Sequence, residues 1–562
     1  MIHRHLFYKD KSKLQKTSMS NKVHIEDNIF LCYDIIDFVE RYISMLKNLY
    51  VMKIDAKQEL DNINSQEDME RFKKSIIVPN GVNLDYLLNG ERYFLTGDKG
   101  SGKTALLIYT ALKAEEYFNA ERSFMIFKEI SQEERDEYKK IAHVTIYDQE
   151  SIMPYYDYEN VWKWLIHKNI VEAILDSNKE IFISNENLAK YIYSVKVVET
   201  STPSSKLPIF AKDGYIQAEI NIPGFLSIAS KVNFDFKNGN KKQIKFSSHI
   251  NELNSLFSKL DAADSQLYII VDELNLSMKN IIEFERDVMM IRDLIIVMEF
   301  MNALSKNSHD NVRIIGGIRN EVINSVQAKG KEINKSIESY GIPIDWTIYE
   351  EDKLEHPLLK ILVNYLRITD LCQGDRKERT NRQVYYKWVD EKMFGKDSEE
   401  IILQNTLYRP RHVVRMLNLA KMLCPDDEKI SELTFKKTRK EYSKECWNEA
   451  VEELSVVYNS YQINAIKNLF AGSKSVLSKE IIYKKACDLW GNDPQMVSVV
   501  KGFDDFLRSL YTVGIIGNRC CAETNYFRWY CRGDETLLLN QEILVNRIFW
   551  PVLSIINRER IF

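Results

Sequence analysis

Eight consecutive residues, Gly97-Asp98-Lys99-Gly100-Ser101-Gly102-Lys103-Thr104, constrain this chain more than any others. They satisfy G-x-x-x-x-G-K-[S/T] at every fixed position. The context that this pattern needs is also present: an apolar run, "ERYFLTG", leads into the glycines, and "SGKTALLIYTALKAEEYF" continues behind them at helical spacing. A strand, a glycine-rich turn and a helix in that order aim backbone N–H groups at a phosphate, with the positive helix end behind them. In such a loop Lys103 bridges the β- and γ-phosphates and the Thr104 hydroxyl ligates Mg²⁺. ATP and Mg²⁺ are therefore the expected cofactors, with ATP and GTP not distinguished by these residues.

A second stretch, "LYIIVDE", supplies what hydrolysis needs. Four apolar residues predict a buried central strand, and Asp272 emerges at its carboxyl end, where ligands sit in open α/β sheets. Asp272 is placed to hold Mg²⁺ through water, and Glu273 to polarise an attacking water as general base. Arginine must supply the remaining charge stabilisation. Arg319, after the strand "NVRIIGGI", is one candidate. "LYRPRHVVRMLN" holds the others, Arg409 and Arg411, with Arg415 further along. Pro410 starts a helix whose first turn carries cations, an unfavourable placement that a nearby anion would offset.

Around these motifs, strands alternate with helices ("RSFMIFKEI", "SQLYIIVDELN", "NVRIIGGIRNE", "GIPIDW"), so the expected fold is a parallel α/β sheet of P-loop type. At 562 residues the chain is too long for one core. The expected division is an N-terminal helical segment at 1–75, a P-loop core at 76–350, a helical lid at 351–440 and a winged-helix-like unit at 441–562. "NIFLCYDIIDFVERYISMLKNLYVMKI" reads as helix. Within the core, about 130–260 is expected to be a β-rich insertion. "YIQAEINIPG" and "KVNFDFKNGNKKQIKFSS" alternate apolar and polar residues, with Asn238-Gly239 as a hairpin turn.

Together the motifs resemble the AAA+/STAND class of P-loop ATPases, and more narrowly those encoded in prokaryotic anti-phage defence loci. The likeness rests on "GDKGSGKTAL", "WKWLI", "GIRNEVINS", "IDW" and "RPR", between about 90 and 420, with the winged helix as an addition. The resemblance implies an ATP-dependent switch: a lid closes on nucleotide, the protein assembles into homo-oligomers, and a separately encoded effector responds. It also implies that Arg409 and Arg411 match lid (sensor 2) arginines and that Arg319 lies near the sensor 1 position. Two departures stand out. The usual sensor 1 Asn or Thr is not evident in "IIGGIRNE", and about 170 residues separate the two nucleotide motifs.

A net charge of −4 excludes a uniformly basic nucleic-acid coat. Local contact with nucleic acid stays open. "FKKTRKEYSKECW" and "KSVLSKEIIYKKA" cluster lysines, with Lys484 and Lys485 candidates for phosphate contact, and "FRWYCRG" interleaves aromatics with arginines. The alternative reading is accordingly a DNA-binding initiator or loader ATPase, and a third is a scaffold that ATP merely stabilises. The eight cysteines lack metal-ligand spacing, so free thiols in a reducing cytoplasm are expected. No signal peptide or membrane span is expected.

Overall fold

The computed structural model describes residues 45–60, 65–147, 152–199, 246–276, 281–327, 333–347, 350–455, 457–521 and 526–556. The expected helix over 28–54 is described only from residue 45, where Leu46–Asn48 forms a single 3₁₀ turn and an extended segment follows.

Five parallel strands organise the core: β1 (Phe94–Gly97), β2 (Glu121–Ile126), β5 (Leu267–Asp272), β6 (Val312–Arg319) and β7 (Gly341–Pro343). Their order is β2-β5-β6-β1-β7. Strand β6 is thus inserted between the strand that ends in the glycine loop and the strand that ends in the acids. Register aligns the carboxyl ends, with Gly97 opposite Arg319 and Ile126 opposite Asp272. All six residues of β5 are buried, as expected for a strand covered on both faces.

Alternate residues of the sheet enter two different cores, because successive strand side chains point to opposite faces. Tyr268, Ile270 and Ile315 join a core with the helix after the loop, α2 (Lys103–Phe118), and with the C-terminal half of the chain. Leu267, Ile269, Val271, Ile314 and Ile318 join the other. That second core is built by α4 (Glu159–Asp176), α5 (Glu186–Glu199), α6 (Phe246–Phe257) and α7 (Ile281–Ser308); the shorter α1 (Gln66–Ser75) and α3 (Gln132–Ala142) precede them.

The segment expected to be β-rich therefore differs in its described part. It contains one antiparallel hairpin, β3 (His143–Tyr147) with β4 (Ile152–Tyr156), and otherwise helices that cover the sheet. Trp162 and Trp164 of α4 are buried there, and such rings bury more apolar area than a strand decoration would. Phe246, Ser247 and Ser248, read as strand, begin α6. The remaining alternating residues, with Asn238-Gly239, lie outside the described residues.

Short helices α8 (Asn320–Gln327) and α9 (Asn334–Tyr340) lead to β7. Beyond it come α10 (Pro357–Cys372), α11 (Asn381–Trp388), the small hairpin β8 (Lys392–Met393)/β9 (Lys396–Asp397), α12 (Ser398–Gln404), α13 (Pro410–Leu423) and α14 (Glu432–Leu454). Helix α14 starts at a capping box, Ser431 with Thr434, and runs unbroken through the division expected at 440. The C-terminal unit follows as α15 (Ser460–Phe470), β10 (Val476–Leu477), α16 (Lys479–Trp490), α17 (Phe503–Thr512), β11 (Ile516–Cys521), β12 (Tyr526–Arg528) and β13 (Glu542–Val545). Its antiparallel sheet has the order β10-β13-β11-β12, so helices precede a small sheet as in a winged helix. No helix among the described residues is long and apolar enough to cross a membrane.

Candidate nucleotide site

The loop between β1 and α2 turns on Gly100 and Gly102, at φ +77° and +89°, a region that penalises any residue with a Cβ. Gly102 is also the N-cap of α2, so no side chain caps the helix, and its first turn has no acid. Its positive end is therefore turned toward the loop without a capping side chain. Close packing fixes the cradle: the Trp346 indole N–H donates to the Ser101 carbonyl at 2.9 Å. A Cβ on Gly317 of β6 would come within 3.2 Å of Asp272 Oδ1 and 3.3 Å of Lys103 Cβ, so that glycine lets helix and acid approach each other.

Lys103 is buried, and its Nζ donates to the carbonyls of Gly97 and Asp98, each at 2.8 Å, and to Ser101 Oγ at 3.3 Å. Burial and then the nearby Arg319 guanidinium push its pKa down to about 8. The Thr104 hydroxyl donates to Asp272 Oδ2 at 2.5 Å, placing two expected Mg²⁺ ligands side by side although they lie 168 residues apart. Burial raises the Asp272 pKa against the opposing pull of the Thr104 hydrogen bond. Glu273 follows with φ +54°, a left-handed conformation costing a non-glycine residue about 1 kcal/mol or more. That turn aims the half-buried Glu273 into the same cavity as Lys103, Thr104, Asp272 and Arg319.

Asn320 was not legible as a site residue. It directly follows Arg319 at the end of β6, and its side-chain amide donates to Asp98 Oδ1 in the loop at 2.7 Å. An asparagine thus stands at the end of the inserted strand, where "IIGGIRNE" had shown no evident sensor. The signal was the residue next to the arginine, hidden because its partner is 222 residues away.

Helices α13 and α14 close over the loop. The Arg411 backbone N–H reaches the Gly100 carbonyl at 3.4 Å, and the Arg411 side chain pairs with Glu449 at 2.9 Å. Arg409 is buried in a 2.9 Å pair with Glu453. Lys99, in the loop itself, is paired with Glu452. Glu449, Glu452 and Glu453 share one face of α14, three and four residues apart. Arg415 reaches Glu449 at 2.8 Å and Glu445 at 3.2 Å. Burial disfavours the Glu449 carboxylate, yet the surrounding cations hold its pKa well below the ordinary range; since burial keeps His412 neutral, Arg411, Arg415 and Arg409 carry that effect. Of the sequence-predicted arginines, Arg319 and Arg411 line the cavity, whereas Arg409 lies behind it in its carboxylate pair.

The cavity holds 210 Å³ and has an apolar wall of Met52, Ile54, Ile76, Ile77, Ile361 and Tyr365. Such a wall suits the planar face of a nucleobase, and no motif in the sequence pointed to it. Lys484 is exposed, but Lys485 donates to the Ala471 carbonyl and Ser473 Oγ at 2.8 and 2.9 Å, so its ammonium is engaged within the winged-helix unit.

The inserted strand, the glycine cradle and the acid-ended neighbour decide the architecture. The chain has an α/β fold of the P-loop type.

Comparison with known proteins adds three findings. A family model described as the FunZ-associated C-terminal helical domain matches residues 359–450, a stretch holding Arg409, Arg411 and Glu449 but not the glycine loop. A protein of Escherichia coli (strain K12), named as the putative transposon gamma-delta 80.3 kDa protein, is 21% identical over 326 residues. That match takes in 56% of this chain and 44% of the other, so the chain spans less than half the length of that relative. The crystal structure of Cdc6p from Pyrobaculum aerophilum aligns over 88% of this chain and 93% of its own at 11% identity, with a TM-score of 0.28. A score that low adds nothing to the strand order.

Proposed function

We propose that this chain is a Mg·ATP hydrolase acting as a switch, in which nucleotide competes with the carboxylates of α14 for the cations around the loop. The observation that carries the reading is the convergence of Lys103, Thr104, Asp272, Glu273, Arg319 and Arg411 on one cavity at the carboxyl edge of the sheet.

The residues fit the group they would hold. The glycine cradle leaves N–H groups for phosphate oxygens, and the uncapped α2 terminus complements their charge. Thr104 and Asp272 give Mg²⁺ a hydroxyl and a carboxylate, a small set that suits an ion completing its shell with phosphates and water. Bound Mg·ATP supplies the electrophilic γ-phosphate and a divalent charge beside it. Lys103, released from the Gly97 and Asp98 carbonyls, places its ammonium at the β- and γ-phosphate oxygens. Glu273 accepts the proton of the attacking water at its carboxylate, and Arg319 and Arg411 neutralise charge as it develops. Asn320 holds the loop through Asp98.

A carboxylate face on loop cations supports the switch. Glu452 and Glu449 occupy Lys99 and Arg411 in the way phosphate oxygens would, so binding and helix position are linked. Homo-oligomer formation and a role in anti-phage defence with a separately encoded effector extend this reading from the family resemblance of the motifs.

Phosphate release from ATP tests the reading. Wild type is expected to release phosphate slowly, Lys103→Ala to lose nucleotide binding, and Glu273→Gln to bind ATP without turning it over. Equal release by wild type and Glu273→Gln, or unchanged ATP affinity in Lys103→Ala, would contradict it.

A further inference from the structure

A second cavity, of 330 Å³, lies between the winged-helix sheet and the turn that precedes α13. Its volume is in the range of small-molecule sites. Four cationic side chains line it, Lys396, Arg519, Arg532 and Arg547, and no Asp or Glu does. Four aromatic rings line it too, Tyr408, Phe527, Trp529 and Trp550. Some of this charge is answered outside the lining: Lys396 pairs with Glu400 at 2.9 Å, and Arg519 lies 3.7 Å from Glu542. Arg532 is exposed and sits 5.5 Å from the centre of the Tyr408 ring. Strand alternation alone accounts for aromatics in a wing. It does not account for a hollow that gathers rings and cations from β9, the turn before α13, β11, β12 and the segments that follow β12 and β13, with no carboxylate in its lining.

We propose that this cavity binds a nucleoside phosphate unit, with its base against the aromatic wall and its phosphate at Arg532, Arg519 and Arg547. Rings supply stacking that tolerates any base, and arginines supply bidentate donors for phosphate oxygens. The unit is either a free nucleotide or the phosphorylated end of a strand, which share this chemistry. The location gives occupancy a route to the first site. Leu407 and Tyr408 both adopt left-handed conformations, at φ +48° and +52°, and Arg409 comes next in the chain. An occupant that shifts Tyr408 bears directly on a strained turn holding that arginine. Such an effect on turnover rests on the ATPase reading; binding itself does not.

The test uses full-length Lys103→Ala protein, so that the glycine loop does not contribute. Calorimetry and quenching of tryptophan fluorescence follow four probes: AMP, 5′-phosphorylated dT6, 5′-hydroxyl dT6 and pyrophosphate. Saturable one-to-one binding of AMP or phosphorylated dT6 is expected, at least tenfold weaker in Arg532→Glu and Arg547→Gln. Binding of AMP identifies a free nucleotide as sufficient; binding of phosphorylated dT6 alone identifies a strand end. The proposal fails if no probe saturates, if pyrophosphate binds as tightly as the nucleotides, if 5′-hydroxyl dT6 binds as tightly as its phosphorylated form, or if Arg532→Glu leaves affinity unchanged. Should Arg547→Gln lose its melting transition, the exposed Arg532→Glu decides alone.

Discussion

Lys103 is the residue on which the proposed chemistry turns, and its burial makes a pH prediction. Its folded pKa, about 8, lies below the ordinary lysine value, because burial and Arg319 oppose the charge while Glu321, Asp272 and Asp98 support it less strongly. Below pH 8 the ammonium is in place for phosphate; above it the free protein loses that proton and must take it up again on binding. ATP affinity should therefore fall as pH rises through 8, by up to tenfold per unit, read by calorimetry in two buffers of different ionisation enthalpy. The same linkage makes the unfolded chain bind the extra proton between about 8 and 10.5, so the cost to the fold of burying the Lys103 charge, full below pH 8, is relieved as pH rises through that window. For Glu273→Gln, ATP binding should persist while phosphate release drops about a hundredfold or more. At this scale the sequence was legible where chemistry is local. Gly97 to Thr104 form one contiguous pattern, and Asp272-Glu273 end one strand. Asn320 and Trp346 were not, since their meaning lies in partners more than 200 residues away.

Among the elements, α14 departs furthest from its sequence reading. Its lysines drew attention to nucleic acid, while its opposite face presents Glu449, Glu452 and Glu453 to the loop cations. A charge-rich helix reads as a solvated surface until its neighbour is known, and that neighbour, α13, carries the arginines. Glu452 is the exposed member, so Glu452→Gln should move stability by less than about 1 kcal/mol and raise ATP affinity up to about fivefold. Glu449→Ala is a different case: it strands Arg411 and Arg415, the latter buried, and should cost about 3 kcal/mol or more, measured by denaturant unfolding. Because the Glu449 pKa is depressed in the fold, its stabilisation is complete above about pH 4.5 and is lost as pH falls below that. Wild type should thus show a larger acid-induced loss of stability than Glu449→Gln, in which the other depressed carboxylates, Asp375 among them, still titrate.

For the whole molecule, the alternation of apolar strands and helices was enough to anticipate a parallel sheet, and "GIPIDW" its last strand. Strand order was not readable, because the packing around β6 depends on Gly317 leaving room for α2 and Asp272 on one face and Gly316 leaving room for Met298 of α7 on the other. The helical cover of the second face was also missed, since the apolar residues of α4 do not say which sheet they will meet. These layers place the loop between the parallel sheet and a helical unit held by ion pairs, and the proposed nucleotide-driven switch acts at that contact. Mass photometry of wild type and Glu273→Gln, each with and without Mg·ATP and with phosphate release followed in parallel, tests that claim most directly. Growth to a defined oligomer with Mg·ATP is expected, transient in wild type and trapped in Glu273→Gln. A mass that stays fixed in both proteins while ATP is bound would contradict it.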